Sequence, residues 1–140
     1  KKMLLKSDDI YLLGNIGMTS VVLGHGEEAV PILRLVKELR PSNAGGFIMH
    51  ALYLYTIGEV DEAMAVMQDA ITMDAKENHE EALSFHLFLL FHTGNVEDCH
   101  ELAEVYLKDQ LVMSPVPRSI VEDIFRSTSD ILGYAAEMME

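Results

Sequence analysis

Apolar and polar residues are arranged along this chain in two different ways. Over residues 27–40, Ala29, Ile32, Leu33, Val36 and Leu39 fall at helical spacing among Glu27, Glu28, Arg34, Lys37, Glu38 and Arg40. That pattern gives a helix one apolar face and one wet face. Elsewhere apolar residues crowd every side: Tyr11-Leu12-Leu13 with Met18 and Val21-Val22-Leu23, then Phe47-Ile48-Met49 with Ala51-Leu52-Tyr53-Leu54-Tyr55, then Phe85 with Leu87-Phe88-Leu89-Leu90-Phe91. A helix of this second kind needs cover on more than one side. Seen alone, residues 47–55 and 85–91 also suit buried strands. Their recurrence at a fixed place in a repeat decides for helix.

The repeat is carried by a turn. Leu23-Gly24-His25-Gly26-Glu27-Glu28-Ala29, Ile57-Gly58-Glu59-Val60-Asp61-Glu62-Ala63 and Thr93-Gly94-Asn95-Val96-Glu97-Asp98-Cys99 place glycines 34 and 36 residues apart. Glycine just past the last turn of a helix adopts a left-handed conformation without a side-chain penalty. The carboxylates that follow favour the N-terminus of the next helix. Each turn therefore closes one helix and opens another. The small residues Ala29, Ala63 and Cys99, five positions beyond each glycine, let the second helix lie close to the first.

A period near 34 residues is the signature of stacked helical hairpins, and on these residues the chain resembles the tetratricopeptide-repeat family. Units fall at about 10–43, 44–77 and 80–113. The first carries Leu13, Ile16, Gly17, Ala29, Leu33 and Pro41, and Ser7 with Asp8 and Asp9 makes a helix start at its head. The second keeps Phe47, Ala51, Gly58, Ala63 and Ala70 but has His50 where a leucine is usual and Ala75 where the proline is usual. The third has Leu87 in place of a small residue and Cys99 in place of alanine, and its two extra residues lengthen a helix starting near Lys76. The resemblance implies an all-α fold: three helix-turn-helix repeats in a right-handed superhelical array, one domain over 1–140.

After the repeats, Ser114-Pro115-Val116-Pro117 breaks the helical run, and Ser119 with Glu122 has capping-box spacing. A C-terminal capping helix at about 118–139 follows, with Ile120, Val121, Ile124 and Phe125 on one stripe. Ser127-Thr128-Ser129 bends it before Ile131, Leu132 and Tyr134 resume the stripe. Such a helix solvates the end of an array.

Charge narrows the partners. Ten basic residues stand against 23 acidic ones, a net of −13. That field opposes nucleic acid and anionic membranes and suits a neutral or basic protein; it also serves solubility. No run reaches the ~20 apolar residues of a bilayer span, so no membrane insertion is expected. Lys1-Lys2-Met3-Leu4-Leu5 is too short an apolar stretch for a secretory signal. A single cysteine permits no internal disulfide and fits a reducing, cytoplasmic setting.

Chemistry finds little support. His50 and His86 share one inward repeat position and read as satisfied core or groove residues. His92, Cys99 and His100 sit around a turn, but Cys99 and His100 are helix neighbours that point apart, which disfavours zinc. Cys99 has no oriented base. Gly45-Gly46 opens a helix without the lysine or preceding strand of a phosphate loop, and reads as close helix packing. No catalytic, metal or cofactor site is expected, and the chain reads as non-enzymatic.

In tetratricopeptide arrays the first helices line the concave groove. Projecting the repeat places Tyr11, Met18, Val22, Ile48, Leu52, Tyr55, Phe88 and Phe91 toward it. An uncovered groove of these residues exceeds what soluble monomers usually expose. An amphipathic helix or extended segment of a client fits it; the chain's own C-terminal helix, or a second copy making a homodimer, are the other ways to cover it. Members of the family that bind acidic heat-shock tails use lysine, arginine and asparagine, where this chain has Gly14, Met18, Ile48 and Leu52. In size, acidity, repeat number and apolar groove the chain resembles the small three-repeat chaperones of bacterial type III secretion. The resemblance implies a chaperone that sequesters a secreted or assembly-prone client; the alternative is a scaffold or adaptor subunit of a stable multiprotein assembly.

Overall fold

The computed structural model describes residues 24, 26–73 and 75–138, the last five by backbone alone. Six helices run through them: α1 (Gly26–Leu39), α2 (Gly45–Thr56), α3 (Val60–Thr72), α4 (His79–His92), α5 (Val96–Lys108) and α6 (Pro115–Met138). The described residues contain no β-strand, which settles residues 47–55 and 85–91 as helical. The helix expected at the head of the first repeat, with its start at Ser7, falls outside the described residues. The chain divides into two compact units, Lys1–His79 and Glu80–Glu140.

In the first unit α2 packs against α1 and α3. Small residues make the approach possible. A Cβ on Gly46 would lie 2.9 Å from Cγ of Lys37 and 3.3 Å from its backbone nitrogen, so the close-packing role expected there holds. Ala29, Ala51, Ala63 and Ala70 are all but fully buried, as are the larger Leu33 and Met67. Met49, Leu52 and Tyr53 of α2 close over Ala29 and Leu33.

The repeated turn has the predicted backbone. Gly24, Gly58 and Gly94 adopt φ of +87°, +85° and +85°. Around Gly58, the amide of Gly58 donates to the Tyr55 carbonyl at 3.1 Å and that of Glu59 to Leu54 at 2.8 Å. This pair of bonds satisfies carbonyls that the helix end would leave open. The small residue five positions on is buried each time: Ala29 is 1% exposed, and Ala63 and Cys99 are 0% exposed.

A joint without a sequence expectation closes the second repeat. Asn43 and Glu77, 34 residues apart, form an isolated parallel bridge. Ala44 N donates to Glu77 O at 2.9 Å and Glu77 N to Ser42 O at 3.1 Å. The Asn43 side chain accepts from Gly45 N at 2.8 Å and from Asn78 Nδ2 at 2.8 Å, and donates to Glu77 Oε2 at 3.0 Å. Lys76 therefore does not open a helix; α4 starts at His79 once this bridge is made. The extra length appears as expected, with 14 residues in α4 against 12 in α2.

In the second unit α5 packs against α6. The C-terminal helix starts three residues earlier than expected. Arg118 N donates to Ser114 O at 2.9 Å, which makes Ser114 the N-cap and Pro115 the first helical residue, where a missing amide costs nothing. The Glu80 carboxylate accepts from Ser114 N at 2.9 Å and Ser114 Oγ at 3.0 Å, and also from Met113 N. Ser119 thus sits inside the helix, and Glu122 pairs with Arg118 at 3.8 Å instead of capping. Thr128 and Ser129 turn their hydroxyls back to the carbonyls of Ile124 and Phe125, at 2.9 and 2.8 Å, and the helix runs on unbroken to Met138. Val121 and Ile124 are buried as expected, whereas Ile120 and Ile131 are exposed. The inward stripe is Pro117, Val121, Ile124 and Thr128.

Candidate protein-binding surface

On α2, Ile48, Leu52 and Tyr55 are all half-buried and recur at i, i+4 and i+7, so they share one side of the helix. Leu52 is partly used by the fold, because it packs onto Ala29 and Leu33. Tyr11, Met18 and Val22 lie outside the described residues.

On α4, Ala82, Leu83, Ser84, His86, Leu87 and Leu89 are buried. A helix that buries residues around most of its circumference should have little left to show. Yet Phe85, Phe88 and Phe91 remain half-buried and His92 exposed. The rings of Phe85 and Phe88 stack with centroids 6.0 Å apart and 13° between planes, and the His92 ring lies 4.2 Å from Phe88 and 6.0 Å from Phe91. Phe88 and Phe91 thus both meet the His92 ring. Phe85 and His92 belong to the same aromatic cluster. Their spacing from Phe88, at i−3 and i+4, was the signal for them.

The histidines divide. Lys37 Nζ donates to His50 Nδ1 at 2.9 Å and lies 5.4 Å from the centre of the Phe47 ring. Burial, then the charges of Lys37 and Arg34, hold His50 below the usual imidazole value. His86, expected to be satisfied like His50, is not: it is 9% exposed, and neither ring nitrogen has a hydrogen-bond partner among the described residues. Burial likewise holds its pKa low.

These shifts have a sign in solution. Above the ordinary imidazole value of about 6.5 both rings are neutral in folded and unfolded chains alike. As pH falls through that value the unfolded chain takes up protons that the folded chain refuses, and stability declines until the depressed folded values are passed. Urea unfolding should therefore give a lower midpoint at about pH 5.5 than at about pH 7.5, with a smaller difference in His86→Leu. An unchanged midpoint would show that both rings protonate freely in the folded chain.

The polar atoms of the remaining candidates are engaged or masked. Cys99 is fully buried, its thiol is pushed up to about 11 by burial, and Sγ lies 3.7 Å from the Leu87 carbonyl. It fills the small-residue place, and burial disfavours its thiolate. His100 stacks on Phe125 at 4.7 Å and its Nδ1 lies 2.9 Å from Thr128 Oγ1, which ties α5 to α6. No cluster of metal-ligating side chains and no helix long and apolar enough to cross a membrane occurs among the described residues. The described surface offers apolar and aromatic contact.

No protein-family model matches the sequence, and no curated protein matches it. Among solved structures, the fold is similar to that of the type III secretion translocator chaperone SycD of Yersinia enterocolitica. The TM-score is 0.67 at 15% sequence identity, covering 90% of this chain and 87% of that chain. At that identity the likeness speaks to the fold alone, and it establishes an all-helical fold of the SycD kind.

Proposed function

We propose that this chain is a non-enzymatic tetratricopeptide-like chaperone, working in the cytoplasm, that shields an amphipathic segment of a secreted or assembly-prone client as in type III secretion. The observation that carries the reading is α4: after burying six of its residues it still presents Phe85, Phe88, Phe91 and His92 as an aromatic cluster at the surface. Aromatic side chains in contact with each other, and not fully buried, are the usual anchors of a protein interface. Ile48, Leu52 and Tyr55 of α2 supply a further apolar face in the first unit. Tyr11, Met18 and Val22 complete the set by the repeat projection. The fold shared with SycD supports the reading, since that protein is a translocator chaperone.

Site-specific photo-crosslinking tests the surface. A crosslinker placed at Tyr55 or Phe91 should trap one small client, and the same group at the exposed Glu62 of α3 should not. Adducts from Glu62 alone, to several large proteins, would instead assign the chain to a scaffold.

A further inference from the structure

A second surface of a different chemistry lies on α5. Asp98, Glu101, Leu102 and Val105 recur at i, i+3, i+4 and i+7 and so line one side of that helix. With Leu90 of α4 they enclose an open depression of about 360 Å³. Leu90 and Leu102 are half-buried at its floor, Val105 is 42% exposed, and both carboxylates are exposed at its rim. The other side of α5 is spent on the core, where Cys99, Ala103 and Tyr106 are buried. The depression therefore faces out of the second unit.

The apolar floor asks for a large apolar side chain, and the charges around it say what must flank that side chain. Glu97, Asp98, Glu101 and Glu104 are all exposed on α5, on a chain whose net charge is −13. A second copy of this chain brings like charge to the rim, and nucleic acid and anionic membranes are repelled. A protein segment with leucine-like residues and lysine or arginine a helical turn away meets both demands.

We propose that this face of α5 docks a basic amphipathic segment of a partner protein. The site is set apart from Phe88. Leu90 and Phe88 are two positions apart on α4, so they project from nearly opposite sides of that helix. It does not depend on the function proposed above.

The probe is a fluorescein-labelled helical peptide of leucine and lysine, followed by fluorescence anisotropy at physiological salt. Val105→Asp makes the protein more acidic, so simple charge attraction would tighten binding; occupancy of the depression weakens it by roughly tenfold or more. Glu101→Lys should weaken binding several-fold more than Glu62→Lys, which makes the same charge change on the exposed surface of α3. Phe88→Glu, which also adds a negative charge, should not weaken binding of this probe, which separates this site from the client face. All four positions are at least partly exposed, and far-UV circular dichroism confirms that each variant is folded. The proposal is overturned if the probe does not bind, if Val105→Asp binds as well as the parent, if Glu62→Lys matches Glu101→Lys, or if Phe88→Glu alone removes binding.

Discussion

Replacing Phe88 by glutamate is expected to lower client affinity by roughly 100-fold or more while leaving helicity and the unfolding midpoint close to those of the parent. Phe88 lies between Phe85 and His92 in the aromatic cluster and is only half-buried. A carboxylate there stays hydrated in the free protein, so the fold loses little. In the complex the same carboxylate must be stripped of water against an apolar client, with no partner to compensate it. Leu52→Glu is a poorer probe of the same surface. Leu52 also covers Ala29 and Leu33, so a charge there damages the first unit as well as the binding face. Titration of a labelled client by fluorescence anisotropy, with circular dichroism on the same samples, checks the prediction.

Leu87→Ala, one residue away, should do the reverse. Leu87 is fully buried and its carbonyl meets the Cys99 thiol of α5 at 3.7 Å. Truncating a leucine in such a place costs about 2–5 kcal/mol, the spread depending on how far the cavity collapses. That is a large part of the stability of a domain, which is about 5–15 kcal/mol in all. Under conditions where the variant is still folded, its client affinity should stay within a few-fold of the parent. Urea denaturation measures the first effect and the same anisotropy titration the second. Equal loss of binding and stability in both variants would mean that α4 has no separate binding side.

The contrast between these neighbours shows what the sequence makes legible. Period and turn chemistry could be read because they are local. A glycine that must adopt positive φ, followed by carboxylates and a small residue five positions on, announces a helix pair, and Gly58 with Ala63 and Gly94 with Cys99 behave accordingly. The all-apolar character of residues 85–91 was equally plain. Which of them face inward was less so, since a helix that is apolar all round has no polar side to set its phase. Repeat projection names Phe88 and Phe91 but not Phe85 or His92, whose ring contacts with Phe88 follow from the phase of the folded helix.

Nonlocal hydrogen bonds were the harder matter. Pro115 and Pro117 read as breakers when their context is a few residues wide. The Glu80 carboxylate, 34 residues upstream, caps Ser114 and makes those prolines the first turn of α6. The Asn43–Glu77 bridge is hidden for the same reason: both partners look like ordinary polar residues until the repeat brings their ends together. The phase of α6 failed differently. Ile120 and Ile131 are as apolar as Val121 and Ile124, and hydrophobicity alone could not tell the exposed pair from the buried one.

The most direct test of a groove-bound client is affinity capture from the native cell, with mass spectrometry of what is retained and Phe88→Glu as the control. One small partner at defined stoichiometry, lost from the folded variant, is the predicted result. Several large partners held equally by both proteins would contradict the account and leave the aromatic face of α4 without a role in binding.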